Sequence, residues 1–161
     1  MLRRLEPALS RQLGDLRSAV VKCAADTITS IASACGAPAR SMVTGLLPVL
    51  LERTGCGNKT IVGHVRTCLD ALNPACPLSS LSARLTPWLK HANTHVREAA
   101  ARYLRGHLAC ASQAAVTRER TELLSLIRAT LDDASEAVRA VGRGAFWLWV
   151  LNCPDDSEAG G

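Results

Sequence analysis

Four nine-residue stretches decide the fold: VVKCAADTI (20–28), IVGHVRTCL (61–69), VREAAARYL (96–104) and VRAVGRGAF (138–146). Their starts lie 41, 35 and 42 residues apart, a period typical of stacked helical repeats. Each stretch has an apolar or small residue at its first, fifth and ninth positions. These are Val20/Ala24/Ile28, Ile61/Val65/Leu69, Val96/Ala100/Leu104 and Val138/Gly142/Phe146. That spacing is one face of a helix, and a small residue in mid-stripe lets a neighbouring helix come close.

The flanks repeat as well. Fifteen residues before each anchor stand Leu5, Leu46, Leu81 and Leu123; eleven before stand Leu9, Leu50, Leu85 and Ile127. Seven before stand Leu13, Thr54, Leu89 and Leu131, so Thr54 alone breaks the pattern. Each unit therefore reads as helix A, a polar loop and helix B. The loops are GDLRS (14–18), GCGNKT (55–60), HANTH (91–95) and DDASEA (132–137), rich in turn and N-cap residues. GAPAR (36–40), NPACP (73–77) and the stretch 111–120 connect the units. Pro7 and Pro48 are expected near first turns, where proline is tolerated, and Pro87 is expected to bend its helix.

The pattern predicts an all-α protein, an α-solenoid of about four HEAT-like helical hairpins in an armadillo-type superhelix. The repeats are expected at about 2–35, 42–73, 78–110 and 120–152, followed by an acidic, disordered tail over 153–161. A true armadillo array would need a third short helix in every unit, and the spacing leaves little room for one. Function is then expected on a ridge of loops rather than in a pocket.

Composition agrees. The chain has 161 residues, 48% hydrophobic and 20% charged, which suits one globular domain. No apolar run approaches the roughly 20 residues that span a bilayer. The start, MLRRLEPALSRQL, lacks the apolar core of a secretion signal, and Glu6 and Asp15 argue against a mitochondrial presequence. Seven cysteines with no CxxC are expected to be reduced and mostly buried, in keeping with a cytoplasmic location. All 19 Lys and Arg precede Cys153, whereas three of the 14 acids follow it, so residues 1–152 carry +8. A basic body suits an acidic partner.

Catalytic motifs are missing: there is no P-loop, GxGxxG, nucleophile elbow, HExxH or even a His-Glu dipeptide. No enzymatic activity and no cofactor are expected. His64/Cys68 and His91/His95 have zinc-like i, i+4 spacing but read as stripe-side and loop residues, so no metal is expected. Cys56, in a Gly-rich loop, is expected to be exposed. What remains is a basic, amide-rich edge: Arg17, Lys22, Asn58, Lys59, Lys90, His91, Asn93, His95, Arg97 and Arg139. The plainer reading makes these solvated caps, with Arg97 and Arg139 pairing to acids of adjacent units.

Three motifs carry a family resemblance. The run LEPALSRQLGDLRSAVVKCAADTITSIASACG (5–36) contains DLRSxVV, and LLPVLLERTGCGNKTIVGHVRTCLDAL (46–72) contains LLPxLL followed by an Asn-Lys loop. LDDASEAVRAVGRGAFWLWV (131–150) contains DxxxxVRxxxRxxFW. In this order they resemble the TOG domains of the CLASP type, over about residues 2–152. The resemblance implies a module whose intra-repeat loops lie against tubulin or microtubules, a role in microtubule dynamics and a cytoskeletal location. By position, it implies contacts from Asp15, Leu16, Arg17 and Ser18 in the first loop. It also implies Asn58, Lys59 and Thr60 in the second, and Lys90, Asn93, Thr94 and His95 in the third. The chain is expected to begin at what corresponds to the second repeat of such domains, so the aromatic of their first loop is not expected here. Trp88 lies within an A helix, and Trp147 and Trp149 lie at the far end.

The run AFWLWVL (145–151) is apolar all round a helix, with Phe146 and Trp149 on one face and Trp147 and Leu151 on another. It either folds back as a cap or offers Trp147 and Leu151 to a further repeat, another chain or a second copy. Two other functions fit the composition. A general HEAT adaptor would grip an acidic protein or peptide on its concave face through Lys22, Arg66 and Arg102. A nucleic-acid binder fits less well, since five aromatics leave little for base stacking.

Overall fold

The computed structural model describes residues 2–153, so the acidic tail expected at 153–161 lies, from residue 154 onward, outside the described residues. Among the described residues there are nine α-helices and no strand. Short A helices, α1 (Glu6–Leu13), α3 (Arg40–Arg53), α5 (Leu81–Leu89) and α8 (Arg120–Leu131), alternate with longer B helices. These are α2 (Ser18–Cys35), α4 (Lys59–Ala75), α6 (Thr94–Cys110) and α9 (Glu136–Asn152). The solenoid is all-α, as the periodicity predicts. One connection holds an extra short helix, α7 (Gln113–Arg118), in the stretch before α8.

The B helices pack in chain order, α2 on α4, α4 on α6 and α6 on α9. Side chains from every unit join one core. The stripe explains this in the middle of the stack, where Ile61, Val65 and Leu69 of α4 and Val96, Ala100 and Leu104 of α6 are buried. At the ends it frays. Val20 is half-buried and its place is taken by the fully buried Val21, while Phe146 is half-buried and Leu5 is exposed. Gly142 is a packing glycine: a Cβ there would stand 2.5 Å from the Thr130 hydroxyl of α8. Thr54, the apparent misfit, is buried too. Its hydroxyl donates to the Leu51 carbonyl (2.6 Å) and lies 3.5 Å from the His95 carbonyl of the next unit. A polar side chain is tolerated in the core because it is satisfied there.

The A layer is less continuous. The α1–α3 and α5–α8 pairs are close, but between α3 and α5 lies a groove of about 400 Å³ lined by Leu47, Pro48, Pro87 and Trp88. Pro7 sits in the first turn of α1 as expected, whereas Pro48 lies well inside α3, contrary to the expectation of a first-turn position. An interior proline leaves the i−4 carbonyl, here that of Thr44, without its helical donor. Both Pro48 and Pro87 are placed where no helix packs tightly over them. The start of α5 is held from a distance. Ser80 adopts a left-handed conformation (φ 54°), and the Glu119 carboxylate accepts from the Ser80 and Leu81 amides at 3.0 and 3.3 Å.

The cysteines differ from expectation. Only Cys68 and Cys76 are buried; Cys23, Cys35 and Cys110 are exposed, and Cys56 is half-buried rather than exposed. The others fall outside the apolar stripe, which the bare count of cysteines does not reveal. Burial pushes the Cys68 thiol up to about 11 and also raises Cys76, so both stay protonated and unreactive. No helix among the described residues is long and apolar enough to cross a membrane.

Candidate functional site

The intra-repeat loops meet along one edge, and each is built by a short polar residue that organises its own backbone. In the first loop the Asp15 carboxylate accepts from the Arg17 amide (2.8 Å) and from two guanidinium nitrogens of Arg17 (3.0 and 2.7 Å). These bonds hold the Asp15 carboxyl below the ordinary carboxylate range and raise Arg17. The turn leaves Leu16 at 87% exposure, with the Arg17 side chain at 75%. In the second loop the Asn58 side-chain oxygen accepts from the Thr60 and Ile61 amides (3.0 and 3.3 Å), an N-cap that presents Lys59 and Thr60 on the first turn of α4.

The third loop is built the same way, with Asn93 accepting from the His95 amide at 2.9 Å. His91 Nδ1 accepts from the Asn93 amide (3.1 Å), which leaves the proton on Nε2, 3.3 Å from the Glu52 carboxylate. The imidazole also stacks on Trp88, with centroids 5.9 Å apart. Lys90 and His95 remain exposed.

Consecutive loops are stapled to one another. Arg53, at the end of α3, donates to the Asp15 carbonyl at 2.9 Å. The Asn93 side-chain Nδ2 donates to the Gly55 carbonyl at 3.2 Å. Arg97 makes a two-pronged contact with the Asp133 carboxylate of the fourth loop (2.7 and 3.1 Å), and both side chains are largely buried. Its remaining donors meet the His91 and Ala92 carbonyls and the Thr94 hydroxyl. Asp133 is accordingly held below its ordinary range, mainly by Arg97 and also by the Ser135 amide.

The residues implied by resemblance therefore separate into two groups. Leu16, Arg17, Lys59, Thr60, Lys90 and His95 are exposed along the edge. Asp15, Asn58, Asn93 and Thr94 already hold loop backbone or neighbouring side chains, and Ser18 is half-buried at the start of α2. Arg97 is paired to the adjacent unit, as the plainer reading holds. Arg139 is not: it pairs with Glu136 on its own helix (2.7 Å) and donates to the Asp133 carbonyl. The staple Arg53 carries no signal in the repeat alignment, since it acts on a backbone carbonyl; Asp133 stands five residues before its anchor, as Asp15 does, and only its contact with Arg97 sets it apart.

Elsewhere, three cations of the B helices lie near acids. Lys22 pairs with Asp26 (2.6 Å), while Arg66 and Arg102 share Glu98 at 3.6 and 3.1 Å. Trp147 and Leu151 lie near the C-terminal end of α9, 64% and 77% exposed. On the other face of that helix Phe146 and Trp149 stack at 6.3 Å and pack against the core.

Comparison with known proteins gives a family and a fold. The family described as CLASP N terminal matches residues 1–159. A chain from the structural work on tubulin recruitment and assembly by microtubule polymerases with Tumor Overexpressed Gene (TOG) domain arrays superposes with a TM-score of 0.78 at 18% identity. The match covers 99% of the present chain and 34% of that one, so this chain spans about a third of that neighbour's length. A designed armadillo repeat protein superposes at a TM-score of 0.46 and 19% identity, over 88% of this chain and 63% of its own. No curated protein matches this chain in sequence.

Proposed function

We propose, from the premise that this chain belongs to the CLASP N-terminal family and is a TOG-type helical solenoid, that it is a non-enzymatic module binding tubulin or microtubules through its loop edge. Residues 1–152 act as one domain of four hairpins, without a cofactor, in the cytoplasm and on the cytoskeleton, and the bound state alters microtubule dynamics. The observation that carries this reading is the exposed row Leu16, Arg17, Lys59, Lys90 and His95, set on loops that are tied to one another beneath it. The body bearing that row carries +8, which steers an acidic partner toward it. Leu16 adds an apolar tip in a loop that has no aromatic residue.

The competing adaptor reading, in which the B-helix face grips an acidic peptide through Lys22, Arg66 and Arg102 together, is disfavoured because Lys22 and Arg102 already face acids at close range. The test is co-elution with soluble tubulin by size exclusion at low and moderate salt, for the wild type and Arg17→Glu/Lys59→Glu. Salt-sensitive co-elution lost in the double variant is the expected result. Undiminished co-elution of a folded double variant would move the contact away from this edge.

A further inference from the structure

A groove of about 560 Å³ runs from the second and third loops down between α4 and α6, and the edge reading does not use it. Its lining includes Gly57, Lys59, Gly63, Arg66, His95 and Glu98. Two features of it bear on binding. The first is Gly63, in the interior of α4, where glycine is among the poorest helix formers. Packing does not require it, because a Cβ built there meets nothing within 4 Å. The helix is therefore bare on that side, and a ligand backbone can come against it more closely than any side chain would permit.

The second feature is charge with donors to spare. Lys59 and His95 are exposed at the mouth, and Arg66 lies deeper. The Arg66 contact with Glu98 is long, 3.6 Å, and its Nε–H is buried without an acceptor. Glu98 is the one acid of the lining and is already shared with Arg102 at 3.1 Å. The cavity thus has surplus positive charge, a loosely paired guanidinium and a notch in its wall.

We propose that this groove receives an acidic segment of the protein partner, with a carboxylate side chain directed to Arg66 and the segment's backbone crossing α4 at Gly63. The proposal rests on the edge reading, since it names tubulin as the source of that segment and extends the contact from the loop tips onto the B helices. It also assigns Arg66 a role that its weak pairing with Glu98 leaves unexplained.

The experiment compares tubulin affinity and thermal midpoint for wild type, Gly63→Leu, Arg66→Gln and Arg17→Glu/Lys59→Glu. Gly63→Leu fills the notch and replaces a poor helix former, so its midpoint should equal or exceed that of wild type. It should nevertheless bind tubulin at least ten-fold more weakly. Arg66→Gln should bind several-fold more weakly and show a shallower salt dependence, which keeps the test decisive if the leucine variant fails to fold. If both folded groove variants bind like wild type while the double charge reversal does not, the groove proposal is overturned and the edge reading stands. If wild type itself does not bind tubulin, the edge reading fails, and the groove's assigned occupant fails with it.

Discussion

The first and fourth loops each contain an aspartate bonded in two-pronged fashion to an arginine, yet the two pairs do different work. Asp15 and Arg17 are two residues apart in one loop, and the arginine stands in solvent. Asp133 and Arg97 are 36 residues apart, join two units and are both largely buried. Exposed pairs of the first kind contribute little to stability, because water and salt compete for both partners. Breaking the second kind strands a charge in a poor solvent. Motif position alone would treat the two loops alike; burial and partner distance separate a surface available for recognition from a clasp between units.

Substitutions should separate them. Asp133→Ala should cost about 3 kcal/mol in chemical denaturation, a typical penalty for orphaning a buried ionic partner. The pair also sets an acid limit. Asp133 has a folded pKa below its unfolded value near 3.8, so its contribution is complete above that value and is lost as pH falls through the folded value. The stability gap between wild type and Asp133→Asn should therefore persist at neutral pH and close below about pH 3.8. If Asp133→Ala proves neutral at pH 7, the two loops are equivalent after all.

Thr54→Val tests a smaller staple of the same edge. It keeps the shape and removes a buried hydroxyl bonded to Leu51, which should cost about 1 kcal/mol by denaturant titration. Smaller still is an effect at the opposite end of α6. His107 is buried, and desolvation lowers its pKa from 6.5, opposed only by the nearby Glu119. The unfolded chain binds that proton more readily, so stability should decline as pH drops below about 6.5, and His107→Gln should flatten this decline. Least of all, Asp15→Ala should leave the unfolding midpoint unchanged within error. A large shift would show that the Arg53 contact with the Asp15 carbonyl depends on the carboxylate beneath it.

The fold was legible because helical repeats write their packing into a single spacing. Ile61, Val65 and Leu69 mark a buried face without reference to any distant residue. The same logic misplaced Val20, where the stack ends and Val21 does the packing, and the interior position of Pro48, which depends on where α3 begins. The site was legible only in outline. Loop composition identifies Lys59 and Asn58 together, but only the hydrogen bonds show that one is presented and the other is consumed as a cap. Arg53 was invisible for a different reason, since its partner is a backbone carbonyl 38 residues away; Asp133 shares the register of Asp15, and what the sequence hid was its burial against Arg97. Cys56 shows the same limit, since a glycine-rich loop suggests exposure and the tertiary packing leaves it half-covered.

The staples between loops also have an entropic consequence. Helices packed side by side sit about 8–10 Å apart, so the loops form a ruler of nearly constant pitch. Because Arg53, Asn93 and Arg97 tie each division of the ruler to the next, ordering of the edge is completed during folding rather than upon association. A partner whose acidic groups match that pitch meets a surface already set, whereas one with mismatched spacing cannot be accommodated by loop movement. Under the proposed loop-edge binding, selectivity resides in the spacing of the contacts, and not only in their charge.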